Sequence, residues 1–159
     1  MSRQGASMLS PSSSMTSCFL SFSGVDTRKK FTSHLFAALD QKGILTFIDN
    51  KLERGKPISS LLKIIEGSRF AIIIFSRNYA SSSWCLDELA TIVRCMKETG
   101  LTIFPIFYDV DPSDVQNQTG DFGHAINKHE DKENIEVVQK WREALKEVAT
   151  LAGWHLQDR

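Results

Sequence analysis

Phe70-Ala71-Ile72-Ile73-Ile74-Phe75 is an unbroken apolar run between Arg69 and Ser76, with β-branched residues at its centre. It is apolar at every position rather than every second one. That is the pattern of a strand buried on both faces, as in a parallel sheet covered on two sides. Three further runs share this character: Cys18–Phe22, Ile44–Ile48 and Leu101–Phe107, each bounded by Gly, Asp, Ser or Pro. Between them the apolar spacing becomes helical. Phe31, Leu35, Ala38 and Leu39 form one stripe, and Leu61, Leu62 and Ile65 a second. Leu86, Leu89, Ala90 and Val93 form a third, and Val138, Trp141, Leu145, Val148 and Ala152 a fourth. Strand alternating with helix implies βαβ units with right-handed crossovers. The expected fold is therefore α/β: a doubly wound, flavodoxin-like three-layer sandwich, with a five-stranded parallel sheet and helices on both faces. The fifth strand is either Gly153–Leu156 or part of Val110–Phe122. Pro105, inside the fourth run, belongs at a sheet edge or a bulge.

The chain has 159 residues with 19 Lys+Arg against 19 Asp+Glu, a length suited to one domain and a net charge of zero. Neutrality argues against sequence-independent nucleic-acid binding, which needs a basic face. No apolar run approaches the roughly 18 to 20 residues of a membrane helix, so no membrane partner is expected. Three cysteines without a CxxC pair suggest neither a disulfide framework nor a zinc site, and a reducing intracellular setting follows. Residues 1–17, rich in Ser and Met, read as a disordered leader. The folded domain is expected over 18–156, with 157–159 as a tail.

In open parallel sheets, ligands bind beyond the carboxyl ends of the strands. Ser23–Asp26, Asp49–Pro57, Ser76–Glu88 and Tyr108–Asp114 fall there. Within Ser81-Ser82-Ser83-Trp84-Cys85-Leu86-Asp87-Glu88-Leu89, consecutive serines mark a helix start, with Ser82 or Ser83 as N-cap. Helical spacing sets Trp84, Glu88, Thr91 and Cys95 away from the core stripe and makes Trp84 and Glu88 neighbours. Positions 84, 85, 91 and 92 offer Glu88 no Lys or Arg. A carboxylate with apolar neighbours beside an indole suggests a cleft. The plainer alternative is an indole packed on a loop beside a solvated glutamate. The histidines His34, His124, His129 and His155 lack metal-ligand spacing, so no metal is expected. His124 and His129 read as exposed helix residues.

Several segments together resemble the plant Toll/interleukin-1 receptor (TIR) domain. They are Phe19-Leu20-Ser21-Phe22, Asp26-Thr27-Arg28, Phe31-Thr32-Ser33-His34-Leu35, Asn78-Tyr79-Ala80-Ser81-Ser82, Trp84-Cys85-Leu86-Asp87-Glu88-Leu89 and Phe107-Tyr108-Asp109-Val110-Asp111-Pro112-Ser113. The resemblance runs from about Cys18 to His155 and implies the sheet architecture already read. It also implies a signalling module of intracellular immune receptors, cytoplasmic with the nucleus as a second compartment. Such modules self-associate and hydrolyse NAD⁺ to nicotinamide and linear or cyclic ADP-ribose-type signals that trigger defence and cell death. NAD⁺ is then a substrate, with NADP⁺ a second candidate, and no cofactor is permanently bound. The family's catalytic glutamate falls on Glu88. Trp84 matches a pocket aromatic, and Cys85 a cysteine tied to a second activity on nucleic acid. Ser33 and His34 match one self-association surface, and Gly153 and Trp154 lie in another. The implied partners are further copies of the chain and other TIR-containing immune receptors. The resemblance also carries an alternative role, an interaction module acting through TIR–TIR assembly alone. The family commonly shows Phe-Arg-Gly-Glu-Asp after the first strand, whereas this chain has Phe22-Ser23-Gly24-Val25-Asp26. Losing that guanidinium removes a charge-assisted contact worth about 1.5–3 kcal/mol. Arg28 and Arg54 are the candidates to replace it, and with Phe22, Ser23 and Gly24 they complete the expected substrate-binding set.

Overall fold

The computed structural model of the chain describes residues 16–24, 31–48 and 59–156. The expected leader meets this range only at Thr16 and Ser17, which belong to the first strand. The 49–57 loop, the 157–159 tail, Arg28 and Arg54 lie outside the described residues.

Five strands form one parallel sheet: β1 (Thr16–Ser21), β2 (Ile44–Ile48), β3 (Phe70–Phe75), β4 (Thr102–Tyr108) and β5 (Trp154–Leu156), in the order β2-β1-β3-β4-β5. That is the flavodoxin-like order, and the chain reverses direction across the sheet at β1, between β2 and β3. Four strands fall where the apolar runs predict, to within two residues. The fifth is supplied by the Gly153–Leu156 choice. The 110–122 stretch instead carries α4 (Pro112–Asn117) and the start of α5 (Gly120–His129). Asp111 caps α4 by accepting from the Ser113 amide at 2.9 Å, and Pro112 occupies its first turn. Pro105 pairs with Ile73 of β3, while the β5 ladder begins one residue later, at Ile106 with Trp154. Proline thus sits where β4 has a neighbour on one side only.

The remaining helices among the described residues are α1 (Ser33–Gln41), α2 (Ser59–Glu66), α3 (Ser83–Thr99) and α6 (Ile135–Ala149). Alternation along the strands divides the core in two. Phe19, Ala71, Ile73, Phe75, Ile103 and Phe107 face the larger half, covered by α2, α3, α5 and α6. Cys18, Leu20, Ile72, Ile74 and Ile106 face the other, where Leu35 and Leu39 of α1 pack. An apolar groove of about 340 Å³ opens there, lined by Leu35, Phe70, Ile72, Phe104, Ile106 and Trp154.

Three expectations need correcting. Ala38 is exposed, because α1 lies on the rim of the thinner layer and buries no residue fully. Ala152 lies beyond the end of α6 and is exposed. His129 is half-buried: its Nε2 lies 2.9 Å from the Ala80 carbonyl oxygen and its ring packs edge-on against Trp141. His124 is exposed as expected.

Candidate active site

The site begins with a cap. Ser82 is the N-cap of α3, its side chain accepting from the Cys85 amide at 3.1 Å. This fixes the first turn of α3 against the carboxyl end of β1. The Cys85 thiol, fully buried, donates to the Phe22 carbonyl oxygen at 3.6 Å. One turn further on, Glu88 is only 2% exposed.

That burial differs from the outward face expected for Glu88, and it has a structural cause. Helix α3 packs in the middle of the larger layer, so its buried set wraps round it: Cys85, Leu86, Glu88, Leu89, Ile92, Val93 and Cys95. Cys95, also expected to face away from the core, belongs to it. Among these residues Glu88 alone carries a formal charge. An ion there needs hydrogen bonds in place of water.

The partners come from two elements. Trp84, one turn before on α3, donates its indole N–H to Oε2 at 3.1 Å. Ser21, the last residue of β1, donates its hydroxyl to Oε1 at 2.9 Å. Ser21 Oγ lies 2.8 Å from the Tyr79 hydroxyl, which also reaches the Cys85 carbonyl oxygen at 3.2 Å. Tyr79 opens the short 3-10 turn Tyr79–Ser81 that leads into α3. Ser21 and Tyr79 are both fully buried. Burial above all, with the acidic groups of Cys85 and Glu88 nearby, pushes the Tyr79 phenol well above its ordinary value, against the Ser21 hydrogen bond. The phenol therefore keeps its proton at working pH.

All of this lies beyond the carboxyl ends of β1 and β3, where the sheet reverses its strand order. Open α/β sheets place their ligands at that switch point. Phe22 and Ser23 continue from β1 and are buried, at 6% and 3% exposure, and Gly24 follows half-buried. The Phe22 side chain belongs to the opposite half of the core. Trp84, Cys85, Glu88, Phe22 and Ser23 are thus brought together, whereas Arg28 and Arg54 fall outside the described residues. Ser33 and His34 are exposed on α1, and Gly153 and Trp154 are exposed at the start of β5, 55% in the case of Trp154. Sequence reading missed Ser21 and Tyr79 as members of the site. A serine closing an otherwise apolar strand was the available signal.

Among the described residues no helix is long and apolar enough to cross a membrane. A TIR domain family model matches residues 17–159. Disease resistance protein RPV1 of Vitis rotundifolia is 53% identical over 141 residues, covering 88% of this chain and 10% of that protein. TMV resistance protein N of Nicotiana glutinosa is 54% identical over 139 residues, covering 85% and 12% respectively. The chain therefore spans about a tenth of the length of the curated relatives it matches. Among solved structures, the TIR domains of the activated Roq1 resistosome directly recognising the pathogen effector XopQ match with a TM-score of 0.80 at 50% identity. They cover 89% of this chain and 87% of that one. With the switch-point architecture, the family model and these relatives in agreement, the chain belongs to the TIR domain family, in the form carried by plant disease resistance proteins.

Proposed function

We propose that this chain is a self-associating NAD⁺ nucleosidase of plant innate immunity, cleaving NAD⁺ to nicotinamide and ADP-ribose-type signals that lead to defence and cell death. The observation that carries the reading is Glu88, a charged side chain 2% exposed at the sheet's switch point, with a donor on each carboxylate oxygen. A carboxylate buried this deeply is costly to keep and is a frequent mark of a working site.

The chemistry needs one carboxylate. Glycoside hydrolysis ordinarily uses two, one of them an acid, because the leaving oxygen would otherwise depart as an alkoxide and must be protonated. Nicotinamide departs from a ring that is already cationic. When the C1′–N bond breaks, its electron pair neutralises the pyridinium, and positive charge develops on the ribose. Glu88 stabilises that charge and holds the ribose hydroxyls. Water then adds to C1′ and releases its proton, giving ADP-ribose. For the cyclic product, a nucleophilic atom of the same dinucleotide takes the place of water. The Trp84 indole supplies a flat apolar wall for the nicotinamide ring.

Assembly is the second part of the proposal. The solved Roq1 relative is a resistosome containing TIR domains, and the exposed Ser33 and His34 on α1 and Gly153 and Trp154 at β5 are surfaces on which copies of this chain could meet. Other TIR-containing immune receptors are the proposed hetero-partners, NADP⁺ and nucleic acid are the alternative substrates, and the cytoplasm, with the nucleus, is the proposed location.

The test is nicotinamide release by purified protein. Release is expected from the wild type and absent in Glu88→Ala, and equal turnover in the two eliminates the enzymatic reading. Ser23, 3% exposed where the family commonly has an arginine, favours a second reading, an interaction module without turnover. Cell death that survives Glu88→Ala but is lost in His34→Ala would establish that reading instead.

A further inference from the structure

The geometry points to Ser21 and Tyr79 as positioning residues, a two-hydroxyl relay that fixes the Glu88 carboxylate in the orientation the reaction uses. The inference rests on the nucleosidase reading above and deepens it.

Proton accounting sets the direction of the relay. An ionised carboxylate only accepts, so the Ser21 hydroxyl spends its single proton on Oε1 at 2.9 Å. Ser21 then has none left for Tyr79, and the 2.8 Å contact between the two hydroxyls must be donated by Tyr79. The Cys85 carbonyl oxygen, at 3.2 Å, takes the longer arm of the same phenol proton. The chain therefore runs from Tyr79 through Ser21 to Glu88. Each bond polarises the next, so the serine is a better donor to the carboxylate than an isolated hydroxyl.

Burial makes a purely structural account of these hydroxyls poor. On the larger half of the core, Ser21 follows Phe19 along β1, where the apolar pattern calls for another hydrophobic side chain. Tyr79 packs edge-on against Phe75 at 5.1 Å between ring centres, a contact that phenylalanine would make equally well. Both residues are 0% exposed, so each hydroxyl carries a desolvation cost that only its partners offset. The partners of Ser21 lie 58 and 67 residues away in sequence, and its hydroxyl links the phenol of one to the carboxylate oxygen of the other. Trp84 holds the other oxygen from the opposite side, leaving the carboxylate plane little freedom to turn.

The test measures steady-state nicotinamide release by wild type, Glu88→Ala, Ser21→Ala, Ser21→Cys and Tyr79→Phe, with thermal melts as a control for folding. Ser21→Ala is expected to lower kcat by about 10- to 100-fold with little change in KM, as for loss of one hydrogen bond to a charged group acting in the transition state. Ser21→Cys keeps the shape but offers only a weak donor, so it should follow Ser21→Ala. Tyr79→Phe removes the outer link and should lower kcat by a smaller factor, about 3- to 10-fold, again with KM held. Wild-type kcat in both Ser21→Ala and Tyr79→Phe, with Glu88→Ala inactive, overturns the relay and leaves the nucleosidase reading standing. So does wild-type kcat in Ser21→Cys beside a slow Ser21→Ala, since only shape would then matter. A well-folded wild type that releases no nicotinamide overturns both.

Discussion

Next to Glu88 on α3, the proposed catalytic residue, Asp87 points the other way and does structural work. Its Oδ1 accepts the Trp141 indole N–H at 3.1 Å and so ties α3 to α6. Burial raises the Asp87 carboxyl above its ordinary 3.8, opposed by the Trp141 hydrogen bond and helped by Glu133. In the native state the group takes up its proton at a pH where the unfolded chain has not yet done so. Its contribution to stability is fully present below 3.8 and is lost as pH rises through the folded value. Asp87→Asn keeps an oxygen for Trp141 but cannot titrate. Stability gained by the variant over the wild type at neutral pH should therefore shrink on acidification. Urea unfolding at about pH 7 and about pH 4 measures this, and a difference that stays constant or grows on acidification refutes it. The same residue scale explains why the role of Ser21 was illegible in the sequence, although a serine closing an apolar strand stands out. Its meaning lies in a tyrosine and a glutamate 58 and 67 residues away, and no local pattern announces either. Glu88 was legible because its own helix supplies the signal: an indole one turn earlier and no cation nearby. Its depth was not, because one helix's periodicity cannot report how many neighbours pack around it.

At the scale of elements, legibility followed burial. β3 and its neighbours could be read because they are covered on two faces, which makes β3 apolar throughout and β1 and β4 apolar along their centres. β5 was ambiguous because it has three residues, two of them exposed, and carries almost no hydrophobic signal. The 110–122 stretch looked equally strand-like until its Asp111 cap and Pro112 are recognised as a helix start. The junction of β4 and β5 bears on the proposed assembly surface. A Cβ on Gly153 would stand 2.3 Å from the Pro105 carbonyl oxygen, a backbone atom that cannot move without disturbing β4. Gly153→Ala should therefore destabilise the fold, by roughly 1–3 kcal/mol as overpacking does. Trp154→Ala removes a half-exposed side chain that leans on Phe104, with ring centres 6.0 Å apart, and should cost less. Denaturant midpoints of the two variants decide the point. If Gly153→Ala proves the milder, β5 is not held by that close approach. Loss of assembly in Gly153→Ala alone is thus weak evidence for an interface, and Trp154→Ala is the cleaner probe.

For the whole molecule, the decisive fact is that the proposed catalytic group is closed off in a single chain. Glu88 is 2% exposed, and each of its carboxylate oxygens is engaged by a neighbouring side chain. A ribose can reach it only if the groups that cover it move aside, and such movement has to be favoured by something that binds the open form better. An opening cost of about 2.7 kcal/mol leaves roughly 1% of chains competent. Contacts between copies that exist only in the open form would shift that balance by mass action. Turnover per chain should then rise with protein concentration, fall on dilution and level off once assembly is complete. His34→Ala and Trp154→Ala, exposed and remote from Glu88 in sequence, should move the midpoint of that rise to higher concentration while reaching the same plateau. Ser21→Ala should do the reverse, lowering the plateau at an unchanged midpoint, because it acts on the carboxylate and not on the contact between chains. The measurement is a dilution series of nicotinamide release with light scattering on the same samples. Turnover per chain that stays constant across about a hundredfold dilution, while still depending on Glu88, would mean that a lone chain opens by itself and that assembly serves a purpose other than catalysis.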